Sequence, residues 1–298
     1  MPDPGPRRCR RGVYRRELRD RSTGQAGGVF ASSGNEGGLL ALTPRDRQAG
    51  DTKSALYRGF TTPCTCLALD STGTVIFGGA WEKKIIAWDV RTRRVVATFT
   101  GHADFVKSVL YLPVAGGLLL SGSSDANIIV WSATTGARLA TLKGHTRAVG
   151  AMALDPVASS ERELVVLAGG SERDIRRWRI PVDSPEAAGE DDVLIREFET
   201  SVHCIRFLGE DADCWAASAD GSARRLDVRA EKKDGHRTDT LLKHPDYVND
   251  IAMAGNGRWV ITACRDEEVR VWDVVVSPPP PPQTSAPTNL LPQDLLSR

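Results

Sequence analysis

Tryptophan recurs in this chain at Trp88, Trp131, Trp178 and Trp272, with Leu226 holding the place between the last two, in steps of 43, 47, 48 and 46 residues. A period of this size marks a repeat architecture, because one small group of strands cannot bury both of its faces alone and must stack on its neighbours. The register carries an internal check: six residues before each anchor stands an acid, at Glu82, Asp125, Glu172, Asp220 and Asp266. Residues 101–131 form the most complete unit. They open on Gly101-His102, alternate apolar positions at Val106, Val109 and Tyr111, turn over 113–117, resume at 118–120 and reach Trp131 through a third apolar run. Short strands separated by turn signals make the unit all-β.

Gly101-His102 with Trp131-Ser132, Gly144-His145 with Trp178-Arg179, Trp88-Asp89, and His244 with Trp272-Asp273 resemble the WD-repeat family over residues 60–276. The resemblance implies an all-β fold, a β-propeller of four-stranded antiparallel blades with six blades or an incomplete seven. It also implies a structural tetrad in the complete unit, formed by His102, Ser123, Asp125 and Trp131. Other units depart from it: Phe60 replaces the first His, Gly170 and Cys264 replace the Ser, and Leu226 replaces a Trp. His102→Ala is therefore expected to lower the melting temperature more than His244→Ala, whose unit lacks the Ser.

Residues 28–58 lie over the same pattern, with Leu42 at the Trp position and Glu36 six residues before it, and read as a degenerate blade. The blades then cover about 28–58, 60–100, 101–143, 144–198, 199–242 and 243–276, between an Arg-rich segment at 1–27 and a Pro-rich tail at 277–298. Residues 12–18 read as one strand, which supplies either the outer strand missing from the final blade or the first strand of the degenerate one. The final blade stops after its third strand because the five prolines at 278–282 cannot continue a sheet. Residues 181–192 read as a long acidic loop, and a second insertion starts at Arg229.

A net charge of +1 gives no bulk attraction to nucleic acid or membrane. Eight arginines in residues 1–21 oppose Asp3, Glu17 and Asp20, a local charge of +5 that suits a nuclear-import tract, an RNA-contacting arm or a plain solvated terminus, and suits a mitochondrial presequence less because of the acids and the lack of an apolar face. No apolar run spans a membrane and no signal peptide is visible, so cytoplasm or nucleus is expected. Six cysteines without a CxxC pair and five histidines without ligand spacing point to no metal and no cofactor. Cys64 and Cys66, two apart on one strand, are expected on one face as buried thiols. No GxSxG, P-loop, HExxH or dinucleotide fingerprint occurs, and acids repeated once per unit suit turn anchors rather than a catalytic pair. A monomeric, non-enzymatic propeller that binds proteins, with no small-molecule substrate, is the expectation.

The family resemblance places partner contacts on the top face, at three positions per blade: either side of the first strand's opening residue, and just before the repeated acid. Those positions hold Trp81, Phe105, Lys107, Ser124, Ser171, His203, Tyr247, Asn249 and Arg265. Exposed aromatic residues and arginine are enriched in binding hot spots. A second function follows from Trp88-Asp89-Val90-Arg91 and its weaker copy at 226–229, which resemble the WDxR ending of substrate receptors of cullin-RING ubiquitin ligases. Arg91 and Arg229 would then bond an adaptor carboxylate from the bottom face. A third is a nucleic-acid-associated complex subunit that uses the arginine tract.

Overall fold

The computed structural model describes residues 13–15, 30–33, 39–44, 52–114, 116–208, 213–228, 238–254 and 258–274, with backbone alone for 13–15, 30–33, 39–44, 52–55 and 191–194. Its strands form six antiparallel sheets, each built from strands consecutive in the chain. The first holds β1 (Val13–Arg15), β2 (Phe30–Ser33), β3 (Leu39–Pro44) and β4 (Thr52–Tyr57); the second β5 (Cys64–Leu69), β6 (Val75–Ala80), β7 (Lys84–Asp89) and β8 (Val95–Thr100). The third holds β9 (Val106–Leu112), β10 (Leu118–Ser123), β11 (Asn127–Ser132) and β12 (Arg138–Lys143); the fourth β13 (Val149–Leu154), β14 (Glu163–Gly170), β15 (Ile175–Pro181) and β16 (Gly189–Ile195). The fifth holds β17 (Val202–Leu208), β18 (Asp213–Ser218), β19 (Ser222–Leu226) and β20 (Thr238–Lys243). The sixth has three strands, β21 (Val248–Ala254), β22 (Trp259–Cys264) and β23 (Val269–Asp273). This is the bladed, all-β architecture of a propeller.

Strand side chains alternate between faces, so each sheet sends one set of residues back to the preceding blade and the other forward to the next. Phe77, Ile85 and Phe99 of the second blade meet Leu119, Ile129 and Trp131 of the third. Leu120, Ile128 and Val130 of the third meet Val149, Val166 and Trp178 of the fourth. The same contact repeats between Leu167 and Ile205, and between Trp215 and Val260. The second strand of a blade is paired on both edges and covered on both faces. That is why VIFGGA, LLLSGS and ELVVLAGG read as unbroken apolar or small runs rather than alternating ones. First strands lie beside first strands, β5 with β9, β9 with β13, β13 with β17 and β17 with β21, while β2 lies beside β5.

Two expectations change, and one open alternative closes. Val13–Arg15, within the strand read at 12–18, pairs with β2, so it belongs to the first sheet and does not complete the sixth. Residues 181–192 are not simply a loop: β15 runs through Pro181, a 3-10 turn follows at Pro185–Ala187, and β16 begins at Gly189. Arg176 donates to Glu190 at 2.5 Å, which anchors the acidic stretch to the blade. Cys64 and Cys66 lie in different cores, one facing the first blade and the other the third. A register shift between them takes up one residue, so a spacing of two no longer means one face.

In blades two, three, five and six the hairpin after the second strand turns through a left-handed residue, Lys83, Ala126, Gly221 and Glu267, with φ of 63°, 64°, 76° and 70°. Only Gly221 adopts this without steric cost, since a Cβ in the left-handed region costs roughly 1–2 kcal/mol. Ala126→Gly is expected to raise stability by about 1 kcal/mol in a chemical melt, and an unchanged or lowered midpoint would contradict the turn assignment.

Candidate functional site

The first strand of blades two to six carries the same irregularity. Its register shifts directly after the opening residue, which leaves Thr65, Lys107, Gly150, His203 and Asn249 without a partner in the ladder. A bulge of this kind re-aims the extra side chain out of the sheet. On either side of it the chain is fixed. The residue before the repeated acid donates its N–H to the carbonyl of the residue before the opening one: Trp81 to Pro63, Ser124 to Phe105, Ser171 to Ala148, Ala219 to Ser201 and Arg265 to Tyr247, at 2.8–3.3 Å. Each blade end therefore displays three side chains in a fixed arrangement.

Their chemistry is unevenly distributed. Trp81 of blade two stacks on Phe105 of blade three, with ring centroids 5.2 Å apart and planes 16° from parallel, yet the two rings stay 45% and 36% exposed. Blade four offers Ala148, Gly150 and Ser171, and a Cβ added at Gly150 would meet nothing within 4 Å. On blade six the Arg265 guanidinium lies over the Tyr247 ring at 5.1 Å, with Asn249 and Lys107 also exposed at their blade ends. The structure thus brings Trp81 together with Phe105, and Tyr247 with Arg265, while Ser124 and Ser171 present small hydroxyls. His203 is different in kind. Half-buried, it contacts the Val248 carbonyl of the next blade at 3.2 Å and the edge of Tyr247, so it joins two blades as well as facing outward. Burial holds its imidazole below the usual range.

Beneath this surface the repeated acids tie the turns down. Asp125 accepts from the Ala103 N–H at 2.8 Å and the Asn127 N–H at 2.9 Å. Asp220 accepts from the N–H groups of Ser222 and Glu199. Glu172 accepts from Thr146 N–H and hydroxyl, Asp266 from the Glu268 N–H, and Glu82 from the N–H groups of Thr61 and Thr62. Glu82, Asp125, Glu172 and Asp266 sit low. Burial alone would raise Glu82, but Lys84 and Thr61 outweigh it and hold the group at about 2; Arg270 holds Asp266 at about 2. In Asp125 and Glu172 burial is likewise outweighed, by His102 and the Ala103 N–H in one and by Thr146 in the other.

The tetrad needs a correction: its hydroxyl is Ser121, not Ser123. Trp131 donates its indole N–H to Ser121 Oγ at 2.8 Å, His102 Nε2 lies 2.7 Å from the same oxygen, and His102 Nδ1 lies 2.9 Å from Asp125. With the ring proton on Nδ1, every group in the chain is satisfied. Trp131 pairs with Leu119 across the ladder. Ser121 is then about 7 Å along the strand and Ser123 about 13 Å, beyond the indole's reach. Ser123 instead donates to the Asp104 carbonyl at 3.0 Å. The informative spacing is a hydroxyl ten residues before the Trp, and it recurs as Thr262, which accepts from Trp272 at 2.9 Å and meets His244 at 2.8 Å. Neither Gly170 nor Cys264 occupies that place; it belongs to Ala168 and Thr262. Glycine of the Gly-His pair is required by contact with the indole, since a Cβ on Gly101 would sit 3.1 Å from Trp131 and one on Gly144 3.0 Å from Trp178.

Ala168 leaves the fourth blade's network open. His145 contacts Glu172 through Nδ1, but His145 Nε2 and Trp178 Nε1 are buried without a partner. Blade two is rebuilt instead: Phe60 packs edge-on against Trp88 at 5.5 Å and the indole donates to the Arg58 carbonyl. Arg91 is exposed in the turn after β7, at the end of the blade opposite Trp81, and Arg229 lies outside the described residues. Cys64, Cys66, Cys204, Cys214 and Cys264 are buried thiols, with burial pushing Cys64 and Cys204 up to about 12. Among the described residues no group of three or more His, Cys, Asp or Glu side chains is placed to hold a metal ion.

Known proteins share the repeats of this chain. The family model described as WD domain, G-beta repeat matches residues 93–132 and 235–273. An uncharacterized WD repeat-containing protein of Schizosaccharomyces pombe is 35% identical over 223 residues, which is 73% of this chain and 58% of that protein. The SAGA complex subunit Spt8 of the same yeast is 27% identical over 86 residues, 29% of this chain and 16% of that protein. This chain thus spans little more than half of the first relative and a sixth of the second. Two matched repeats, a relative aligned along most of the chain and six blade-like sheets place the chain in the WD-repeat family.

Removing the central hydroxyl with Ser121→Ala orphans two buried groups and is expected to cost about 1–3 kcal/mol, whereas Ser123→Ala removes the bonds to the Asp104 carbonyl and the Asp125 N–H and leaves the link between Trp131 and His102 intact. Ala168→Ser is expected to stabilise by about 1 kcal/mol by joining His145 to Trp178; a chemical melt in which it destabilises would show that the gap is filled another way. His102→Ala should still cost more than His244→Ala, for a different reason from the one first given: both histidines meet a hydroxyl, but only His102 is also tied to its acid, since His244 Nδ1 is buried without a partner. The depressed carboxylates bind fewer protons folded than unfolded, so their stabilisation is present above the unfolded value and lost on acidification. For Glu82 that window runs from 4.5 down to about 2. The melting temperature should fall through it, with a shallower slope in Glu82→Gln.

Proposed function

We propose that the chain is a non-catalytic interaction scaffold that engages partner proteins through the bulge end of its blades, with the Trp81–Phe105 stack and the Tyr247–Arg265 pair as the two contact centres. WD-repeat domains generally bind proteins, which supports the coarse reading. The finer one rests on a single observation: four large side chains held in fixed pairs stay in water, whereas Trp88, Trp131, Trp178 and Trp215 are buried. Aromatic and arginine side chains held rigidly lose little conformational entropy on binding, and hot spots of this kind typically cost 2 kcal/mol or more when truncated. Similarity to a named subunit of a multiprotein complex is in keeping with such a role.

The ligase-receptor alternative rests on Arg91, whose exposure in the turn after β7 leaves it accessible to an adaptor carboxylate. Affinity purification with mass spectrometry separates the two. The Trp81→Ala/Tyr247→Ala variant should lose its partners while its melting temperature holds, and Arg91→Ala should retain them. Retention by the aromatic variant would remove the proposal, and selective loss of a cullin adaptor from Arg91→Ala would replace it with the alternative. Binding that disappears on deleting residues 1–21 and weakens steeply with salt would instead favour the nucleic-acid-associated subunit.

A further inference from the structure

In four blades the third strand is covered by a fourth in one register. The residue three before the Trp position faces a large apolar residue of the outer strand: Ile85 faces Phe99, Ile128 faces Leu142, Ile175 faces Ile195 and Ala223 faces Leu242. All eight are at most 8% exposed. The matching residue of blade six is Val269, and it is 67% exposed, with Val271 on the same face at 61%. Among the described residues β23 has no strand on its outer side. It presents an unpaired ladder edge and two bare valines, a combination that natural sheets normally cover or blunt.

We propose that β23 accepts its fourth strand from a separate protein, as an extended antiparallel segment that sets a Leu, Ile or Phe opposite Val269. At the spacings its own blades use, residues 279–291 do not offer such a segment. Outer strands begin 7 residues after the anchor in blades two and three, where the sixth blade has Pro279 to Pro282, which lack the N–H a ladder needs. At the longer spacings of blades four and five, 11 and 12 residues, the stretch from Gln283 contains Pro287 and places Asn289 or Thr288 where the large apolar residue belongs. Val13–Arg15 is already paired with β2. A second copy fits poorly as well. Antiparallel self-pairing about Arg270 sets two guanidinium groups directly opposite each other, which is unfavourable. Self-pairing about Val271 sets Val269 against Asp273, which is bonded to Arg258. Strand addition to a sheet edge draws affinity from main-chain hydrogen bonds and specificity from alternate side chains. Here that specificity is the one apolar residue facing Val269. The surface is distinct from the bulge end, so its failure would leave the scaffold proposal standing.

The probe is a synthetic peptide of residues 136–144, which contains β12, added to the full chain. Saturable binding by fluorescence anisotropy is expected, at least 10-fold weaker for a peptide carrying Leu142→Ser and for protein carrying Val269→Asp. Amide exchange in residues 268–274 should slow at least 10-fold on adding the peptide, which separates capture by β23 from exchange into blade three. Val269 is exposed, so Val269→Asp should melt with wild type; should it not, the Leu142→Ser peptide carries the comparison alone. Residues 268–274 already protected in the chain by itself would overturn the proposal in favour of an internal segment. A concentration-dependent dimer abolished by Val269→Asp would overturn it in favour of a second copy. No saturable binding, or equal binding of both peptides, would overturn it outright.

Discussion

A sheet that is apolar on both faces can be stable in water only between two others, and this requirement organises nearly everything described above. It sets the composition of the second strands, which read as unbroken apolar runs because no face is left for polar residues. It also makes each blade's stability a property of its neighbours, as expected of stacked repeats. Trp131 belongs by sequence to blade three but packs among Phe77, Ile85 and Phe99 of blade two. Polar links follow the same seam. Ser108 donates to the Val149 carbonyl, and Arg206 of blade five bonds both oxygens of Asp250 in blade six.

Against that shared requirement the buried polar networks are local choices. The third blade has the full Trp131, Ser121, His102 and Asp125 chain. The sixth keeps the hydroxyl as Thr262 but turns its acid, Asp266, toward Arg270 at 2.7 Å. The fourth lost the hydroxyl at Ala168, and the second exchanged the network for a Tyr57, Phe60 and Trp88 cluster. A satisfied network adds rigidity, but burial of the blade face supplies the larger share of stability, so several solutions coexist in one chain.

The period of the tryptophans and the acids six residues before them made the blades legible, because both are fixed by the geometry of a single hairpin and survive in nearly every copy. The aromatic and arginine positions at the blade ends were readable only through the family resemblance, which says where each blade's outward positions fall. What was not readable depended on register. Ser121 and Ser123 lie on one face of one strand, and only the placement of Trp131 opposite Leu119 decides between them. The opposite orientations of Cys64 and Cys66 depend on a bulge that leaves no mark in composition. Glu190 looked like part of an acidic loop because its partner, Arg176, sits fourteen residues earlier on a different strand.

That bulge has one more effect. A residue ejected from the ladder has neither a cross-strand partner nor a core to fit, and the five ejected positions hold Thr, Lys, Gly, His and Asn. No two are alike, although the strands around them share one plan. Two of them are tied to the frame, Thr65 through the Val106 carbonyl and His203 through the Val248 carbonyl of the next blade. At Lys107, Gly150 and Asn249 the charge, size and polarity of the blade end differ from copy to copy above a backbone that keeps the same plan.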